Sequence, residues 1–322
     1  KILVRLFLYY VKINNVRKQV SILNVFKKLP AVPENQIPFI TTLAHFYYVT
    51  HDYTKAAQCY KRVIALSDET DERLMGLSTR MLYYNMLRTL NDFSFLEAFH
   101  PDLSFDVYLK YNMRSDYSRT TVNFAVLLGE LGEFAKAIGY LRKVVSIATV
   151  NNLERFRCIA AFNEAYYAFL AQPNEKDCKR MFVEAEKSQK SVSHYHTYMM
   201  ILSVATASYL YDYEDLCKKS LEIVTNIRKK SDYSHDPLHE EILVAICNGT
   251  FKDDEFYDKV IADSQGLTFA IIYKATGDTQ WIDKWHHRLH EMIEKVPEKY
   301  RKGYASALLE FSFMNRIKPV IL

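Results

Sequence analysis

Three polar residues in the middle of the chain, Asn123, Arg155 and Asn163, have side chains suited to binding an extended peptide. A side-chain amide offers both a donor and an acceptor, so Asn123 and Asn163 can pair with a peptide backbone. An arginine can hold a carboxylate through two parallel hydrogen bonds. Each residue alone is also compatible with an ordinary polar helix surface. Whether the three can bind one peptide together depends on the secondary-structure elements that carry them.

Residues that could support catalysis or metal binding form no recognisable pattern. His286 and His290 are four residues apart on one predicted helix and could share a metal ion, but no third ligand lies at a useful spacing. We interpret them as part of a solvated helix face. The chain has no glycine-rich phosphate loop and no Gly-x-Ser-x-Gly motif, and Cys158 has only distant histidines as potential partners. We therefore expect no enzymatic activity, no cofactor and no metal site.

The elements that position the polar residues repeat about every 40 residues, as in stacked helical hairpins. Residues 52–56 and 133–137 share one pattern: an acid, an aromatic residue, two spacers and a small residue, with apolar residues four and seven positions later. The small position recurs as Leu96, Cys178 and Leu216, with fainter copies near Gln19 and Phe256. No single repeat of this kind can bury its apolar face alone, so the repeats must stack.

The period predicts an all-α fold, a tetratricopeptide-like right-handed superhelix of helical hairpins with a C-terminal capping region. We expect the repeat array in residues 1–236 and the irregular cap in residues 237–322. The hairpins are predicted at 2–28, 38–66, 71 to about 101, 116–148, 153–189 and 194–229, with turns that include His51, Gly132 and Asp212. The small positions Ala56, Ala137 and Cys178 should be buried where two helices pack closely.

Composition agrees with a protein of this kind and excludes several others. The 322 residues are 49% hydrophobic and 25% charged, with only 8 Gly and 8 Pro, which suits stacked helices rather than a glycine-rich nucleotide fold. The net charge of +4 is too small to indicate a nucleic-acid surface on this chain. No apolar run reaches the roughly 18 residues of a membrane span.

The five cysteines and the apolar N-terminus both favour a cytoplasmic location. Five is an odd number, and no Cys-x-x-Cys pair occurs, so we expect reduced core cysteines rather than disulfides or a zinc site. The apolar run that follows Lys1 carries Arg5 and lacks a cleavage site, so we interpret it as the first helix of a repeat rather than a signal peptide.

The region after Asp236 departs from the repeat and is a candidate dimerisation region. Aromatic residues are enriched in the cores of protein interfaces. This region contains several large apolar residues, namely Trp281, Trp285, Phe311, Phe313 and Met314. The sequence therefore predicts a two-fold homodimer with much of its contact in this region.

Several stretches within residues 71–170 match one known family. They are Tyr83–Leu87 leading to Asn91–Ser94, Tyr111–Met113 with Tyr117 and Arg119, Leu131–Glu133, and Asn152–Phe156 running to Tyr167–Phe169. In these stretches the chain resembles the arbitrium receptors (AimR) of Bacillus phages, relatives of the peptide-pheromone receptors of the Rap, PlcR and Rgg kind. Weaker similarity continues through Asp263–Gln265 to the end of the chain.

The resemblance implies a tetratricopeptide-like homodimer that binds a very short secreted peptide and controls a promoter through an N-terminal helix-turn-helix domain. If the resemblance holds, we expect the DNA-binding domain to be absent from this chain or to have been trimmed from it. Arg155 matches an arginine of the family's peptide pocket, and Gln265 matches another pocket residue. The family also binds its peptide with two asparagines from consecutive repeats. Asn123 and Asn163 are the nearest candidates in this chain, but they are offset from the positions that the family uses. At the earlier of those two positions this chain has Leu128 instead of an asparagine.

These observations favour a cytosolic receptor for a short signalling peptide that regulates transcription, as in communication between phages over lysis and lysogeny. If the gene is phage-encoded, the compartment is the cytoplasm of the bacterial host. One alternative is a tetratricopeptide-like scaffold that binds the helix or tail of a partner protein. A second is an enzyme subunit without a visible catalytic motif. The expected peptide-binding residues are Asn123, Arg155, Asn163 and Gln265.

Overall fold

The computed structural model describes residues 2–12, 15–30, 32–70, 73–90, 92–99, 105–229, 238–252, 256–257, 259–260 and 266–320. Every regular element in these ranges is a helix. The all-α prediction is therefore confirmed. The chain divides into two compact units, Lys1–Asn112 and Met113–Leu322.

The first unit is built from helices that each pack against the next along the chain. Its described elements are α1 (Ile2–Lys12), α2 (Val16–Phe26), α3 (Pro33–Val49), α4 (Tyr53–Glu69), α5 (Arg73–Thr89), a 3₁₀-helix (Ser94–Ala98) and α6 (Asp106–Lys110). Phe7 of α1 packs with Ile22, Leu23 and Phe26 of α2 in one buried cluster. The first two hairpins are thus present.

Helix α3 begins at Pro33, so the expected start at Pro38 is wrong. Proline is favoured at the first helical position because its fixed φ suits the helix and its missing N–H would be unpaired there. Pro38 lies inside the same helix. Its carbonyl oxygen accepts a hydrogen bond of 2.7 Å from the Thr42 hydroxyl.

The second half of the third hairpin, predicted to end near residue 101, is not an α-helix. A 3₁₀-helix occupies residues 94–98 instead, and the short α6 follows. Phe93, Leu96 and Phe99 are all buried there. Because they are spaced three residues apart, they lie on one side of a 3₁₀-helix, which has three residues per turn. An α-helix has 3.6 residues per turn and would spread them around its axis.

The second unit contains the three regular hairpins and the helices that follow them. The hairpins are α7 (Arg114–Glu130) with α8 (Phe134–Val150), α9 (Glu154–Ala171) with α10 (Glu175–Ser188), and α11 (His194–Leu210) with α12 (Glu214–Lys229). Each of these six helices packs against the next. The described helices after them are α13 (Leu238–Cys247), α14 (Gly266–Thr276), α15 (Gln280–Ile293), α16 (Glu298–Ser306) and α17 (Phe311–Ile317).

Three of the described turns between paired helices contain a residue in the left-handed backbone region. His51, Gly132 and Asp212 have φ values of 62°, 78° and 65°, at the positions where turns were predicted. A residue with positive φ after the last helical turn lets the backbone reverse and pairs the last carbonyl groups. Of the three residues, Gly132 adopts this conformation without steric strain, because it has no Cβ.

The small positions of the repeat lie in the core, as predicted. Ala56, Ala137 and Cys178 are completely buried. Leu96 and Leu216, at the same position of other repeats, are also buried. The repeat register taken from the sequence is therefore confirmed.

Replacing Ala137 with phenylalanine should lower the free energy of unfolding by about 1–3 kcal/mol, because the larger ring must be forced into a filled core. Ala135 is the matched control, since it is exposed on the same helix, α8. Urea denaturation should show Ala135→Phe close to the wild type. If both variants unfold at the same urea concentration, Ala137 is not a close-packing position.

The large C-terminal side chains pack inside the chain rather than forming a free surface. Trp281, Trp285 and Met314 are fully buried. The ring centroids of Trp281 and Phe269 are 6.1 Å apart, and those of Trp285 and Phe311 are 6.2 Å apart. The expectation that these residues form the core of a dimer interface is therefore wrong for the two tryptophans and Met314. The homodimer itself stays a prediction.

The cysteines follow the prediction in part. Cys158, Cys178 and Cys217 are buried thiols, whereas Cys59 is half-buried and Cys247 is exposed. The expectation that all five are core residues is thus wrong for the last two. No helix among the described residues is long and apolar enough to cross a membrane.

Candidate functional site

The first helices of the three regular hairpins begin at intervals of 40 residues, at Arg114, Glu154 and His194. The tenth residue of each helix is therefore equivalent, and these are Asn123, Asn163 and Ser203. All three are half-buried. Two of the predicted binding residues thus occupy the same position in consecutive repeats, and a third polar residue continues the row.

On α9 this row lies on a different side of the helix from the residues that contact the second helices. Arg157 and Glu164 of α9 reach Glu184 of α10 and Arg142 of α8. We use the name first-helix face for the sixth and tenth residues of the three helices, which are Arg119 and Asn123, Ile159 and Asn163, and Met199 and Ser203.

The asparagines on this face keep hydrogen-bonding groups unused. The Asn163 amide nitrogen donates to the Ile159 carbonyl at 2.8 Å, and the Ser203 hydroxyl donates to the Met199 carbonyl at 2.9 Å. Both bonds are made within the helix. The Asn163 amide oxygen and the whole Asn123 amide have no hydrogen-bond partner among the residues that the structure describes. Such groups can pair with the backbone of a ligand.

Arg155 lies in the first turn of α9, where it is exposed. It makes no ion pair with any described residue, whereas its neighbour Arg157 lies 2.7 Å from Glu154. Arg142 is also paired, at 3.0 Å from Glu164. Arg155 is therefore a cation at the end of the first-helix face whose charge no nearby carboxylate neutralises.

His196, in the first turn of α11, lies within electrostatic range of Arg155. Burial and then the charge of Arg155 hold the pKa of His196 below its ordinary value. Its Nδ1 lies 2.6 Å from the Ser193 hydroxyl. The sequence interpretation missed this residue, although a histidine in the first turn of the next first helix is a visible signal. Arg155 and His196 together form an end of the site that would accept an anion.

The opposite end of the first helices is covered by the C-terminal helices. The Lys274 ammonium of α14 donates to the Leu210 carbonyl at the end of α11, at 2.9 Å. Gly303 of α16 packs directly on the turn that contains Leu131 and Gly132, after α7. The first-helix face is thus bounded at one end by the C-terminal helices and carries Arg155 and His196 at the other.

A buried acid marks the covered end. Glu310, just before α17, is almost fully buried, and burial raises the pKa of its carboxyl to about 7. The indole N–H of Trp285 faces this carboxyl and partly offsets the effect of burial. Burial and the nearby Glu310 also raise the pKa of the Tyr166 phenol on α9. The C-terminal helices therefore place the Lys274 ammonium and a buried carboxyl with a raised pKa against this end.

Two positions of the predicted site differ from expectation or cannot be placed. Gln265 lies outside the described residues. Leu128, at the position that matches an asparagine of the arbitrium receptors, is completely buried and cannot contact a ligand. His286, one of the two histidines considered for a metal, donates to the Lys318 carbonyl at 3.1 Å. No group of three potential metal ligands occurs in the described part of the chain.

Comparison with known proteins yields a similarity of fold. No model of a protein family matches the chain, and no curated protein is similar to it in sequence. The crystal structure of a Rap protein complexed with competence and sporulation factor matches with a TM-score of 0.60 and 11% sequence identity. The match covers 93% of this chain and 79% of that chain. This similarity agrees with the tetratricopeptide-like fold and, at such low identity, shows the fold alone.

Proposed function

We propose that this chain is a cytosolic receptor for a short signalling peptide, which binds along the first-helix face. The observation that carries the proposal is the pair of equivalent asparagines with unused amide groups beside an arginine without an ion pair. Helical backbone amides are already paired, so side chains must satisfy the backbone of a bound peptide. The similar Rap protein was crystallised with a signalling factor, which supports a ligand of this class.

Arg155 and His196 are proposed to receive the C-terminal carboxylate of the peptide. A free guanidinium can bind a carboxylate through two hydrogen bonds, which selects ligands with a free end. The asparagine row then pairs with the peptide backbone, and the covered end near Glu310 limits the length of the ligand. The proposal assigns the chain no catalytic activity.

Replacing Arg155 with alanine should weaken binding of the cognate peptide at least tenfold, equal to about 1.4 kcal/mol. Candidate ligands are synthetic peptides encoded next to the gene. Calorimetry should show that amidating the C-terminus of the peptide weakens its binding to the wild type by a similar factor. Amidation should weaken binding to Arg155→Ala little further. Arg142→Ala, which removes an exposed cation on α8, is the control and should bind like the wild type. Equal affinity of Arg155→Ala for free and amidated peptide, at the wild-type level, would show that this assignment is wrong.

The finer function follows the family resemblance. We propose that the receptor acts as a homodimer and controls transcription of the arbitrium type through an N-terminal DNA-binding domain. A chain carrying that domain should retard a promoter fragment in a gel, and the cognate peptide should change the retardation. A peptide that binds tightly without changing it would contradict the regulatory part of the proposal.

A scaffold for a partner protein is the second candidate, and one surface favours it. Ile2, Leu6 and Tyr9 lie on one side of α1 and are 76%, 41% and 56% exposed. Clustered exposed apolar side chains often mark a protein contact. A partner protein held by this surface would not use the first-helix face, so this function predicts that Arg155→Ala leaves binding of the partner unchanged.

A further inference from the structure

Two of the five cysteines lie next to each other in the second unit. Cys217 belongs to the first turn of α12, and Cys247 is the last residue of α13. The two thiols are close enough to influence each other's ionisation, and both also act on Tyr209 of α11. Cys217 is buried and Cys247 is exposed. The arrangement therefore combines a thiol that reagents in solution can reach with a second thiol directly behind it.

The other cysteines have different surroundings. Cys178 is completely buried and lies 3.3 Å from the Ser208 hydroxyl. Cys158 is buried and interacts with Ser191. Cys59 belongs to the first unit and is half-buried. Among the described residues, Cys217 and Cys247 are the two cysteines whose thiols lie next to each other.

The two cysteines lie at one end of the seam between α12 and α13. At the other end, Arg228 of α12 donates to Glu240 of α13 at 3.2 Å, and Glu240 also accepts a hydrogen bond from Tyr198 of α11. A groove of about 320 Å³, lined in part by Thr225 and Val244, lies along the same seam. A disulfide bond between Cys217 and Cys247 would link α12 and α13 covalently at the end opposite the Arg228–Glu240 ion pair.

We propose that Cys217 and Cys247 are a redox modification site, in which hydrogen peroxide or a related hydroperoxide converts the two thiols into a reversible disulfide. The Cys247 thiolate attacks one peroxide oxygen, the O–O bond breaks, and a sulfenic acid forms while the leaving hydroxide takes up a proton to become water. The Cys217 sulfur then attacks the Cys247 sulfur. The S–O bond breaks, the S–S bond forms, and the hydroxide leaves with the Cys217 proton as a second water.

Exposure assigns the attacking role to Cys247, because peroxide can reach this thiol and not the buried Cys217. Its interaction with Cys217 and the nearby Lys218 also lower the pKa of Cys247, against the opposing effect of burial. The same interaction, together with burial, raises the pKa of Cys217. Thiolates rather than thiols react with peroxides, so the exposed cysteine is the nucleophile and the buried one resolves the sulfenic acid. This inference is independent of the proposed peptide-binding function.

Peptide mapping of the intact, folded protein tests the site. After treatment with hydrogen peroxide, mass spectrometry without reductant should find Cys217 and Cys247 joined, with two thiols lost per chain and both restored by dithiothreitol. Cys247→Ser should prevent the cross-link, and Cys59→Ser should leave it intact. Cys247 is exposed, so its replacement should not disturb folding.

The thermal stability of the same samples gives an independent readout. The disulfide closes a loop of roughly 30 residues, so the oxidised wild type should melt about 5 °C or more above the reduced protein. Cys247→Ser should show no such increase. Oxidation of Cys247 to a sulfinic acid without a cross-link, a disulfide only between two chains, or a cross-linked protein with an unchanged melting temperature would each overturn the proposal.

Discussion

Replacing Gly303 with alanine is expected to destabilise the second unit by roughly 3 kcal/mol, near the upper end of the usual cost of overpacking. A Cβ at this position would lie 1.9 Å from the carbonyl oxygen of Leu131 and 2.9 Å from its carbon. Both atoms are backbone, so the clash cannot be relieved by turning a side chain. The helix α16 must then move away from the turn after α7, and the covered end of the first-helix face should loosen.

Gly139 provides a matched control for this prediction. It also lies inside a helix, α8, but a Cβ there would meet no other atom within 4 Å. Alanine favours helices over glycine by about 1 kcal/mol, so Gly139→Ala should be neutral or slightly stabilising. Chemical denaturation of both variants checks the contrast. If Gly303→Ala is as stable as Gly139→Ala, α16 does not pack on that turn.

Replacing Glu310 with glutamine is expected to stabilise the protein at pH 8 by up to about 3 kcal/mol, since each unit of pKa shift equals about 1.4 kcal/mol. In the folded protein burial raises the pKa of this carboxyl from 4.5 to about 7. At pH 8 the wild type must hold a charged carboxylate in the interior, whereas the amide is neutral at every pH. The variant therefore avoids the cost of burying a charge.

The sign of the pH dependence follows from the same shift. Below pH 4.5 the carboxyl is protonated in both the folded and the unfolded chain, and its contribution to stability is fully present. As the pH rises to about 7, the unfolded chain releases the proton first, so this contribution is lost across that window.

The difference between Glu310→Gln and the wild type should consequently grow from pH 5 to pH 8. The exposed Glu294 is the control, and Glu294→Gln should differ little from the wild type at either pH. Urea denaturation at both pH values measures the differences. A constant difference between Glu310→Gln and the wild type would mean that Glu310 is not buried as a neutral acid.

The hairpins of the second unit could be predicted from the sequence because one local pattern sets both the turn and the packing. An acid and an aromatic residue mark the start of α8 and α12, and the small position of the repeat marks the close contact. Ala137 and Cys178 are completely buried as this pattern requires. The positive φ of Gly132 and Asp212 follows from the same register.

The sequence was less informative where several packing solutions compete. Pro33 and Pro38 can both start a helix, and local propensity alone does not select the earlier one. The spacing of Phe93, Leu96 and Phe99 indicates a 3₁₀-helix only once their burial is known. Trp285 looks like an interface residue by its type, because the sequence does not show that Phe311 will pack against it within the same chain.

The candidate site was predictable in its repeating part. Asn123 and Asn163 are separated by one period, so the sequence places them at equivalent positions on neighbouring helices. The sequence does not show that Arg155 forms no ion pair with the described residues, since Glu154 is adjacent and pairs with Arg157 instead. The sequence also does not show that Glu310 lies near the first helices. Glu310 comes close enough to raise the pKa of Tyr166 only because the C-terminal helices pack there.

Hydrogen–deuterium exchange of the protein, with and without the cognate peptide found by calorimetry, tests the central claim most directly. If the peptide binds along the first-helix face, exchange should slow in α7, α9 and α11, with the clearest effect in the first turns that carry Arg155 and His196. The second helices α8, α10 and α12 should change little. A peptide that binds but protects only those second helices, or only the first unit, would contradict the account.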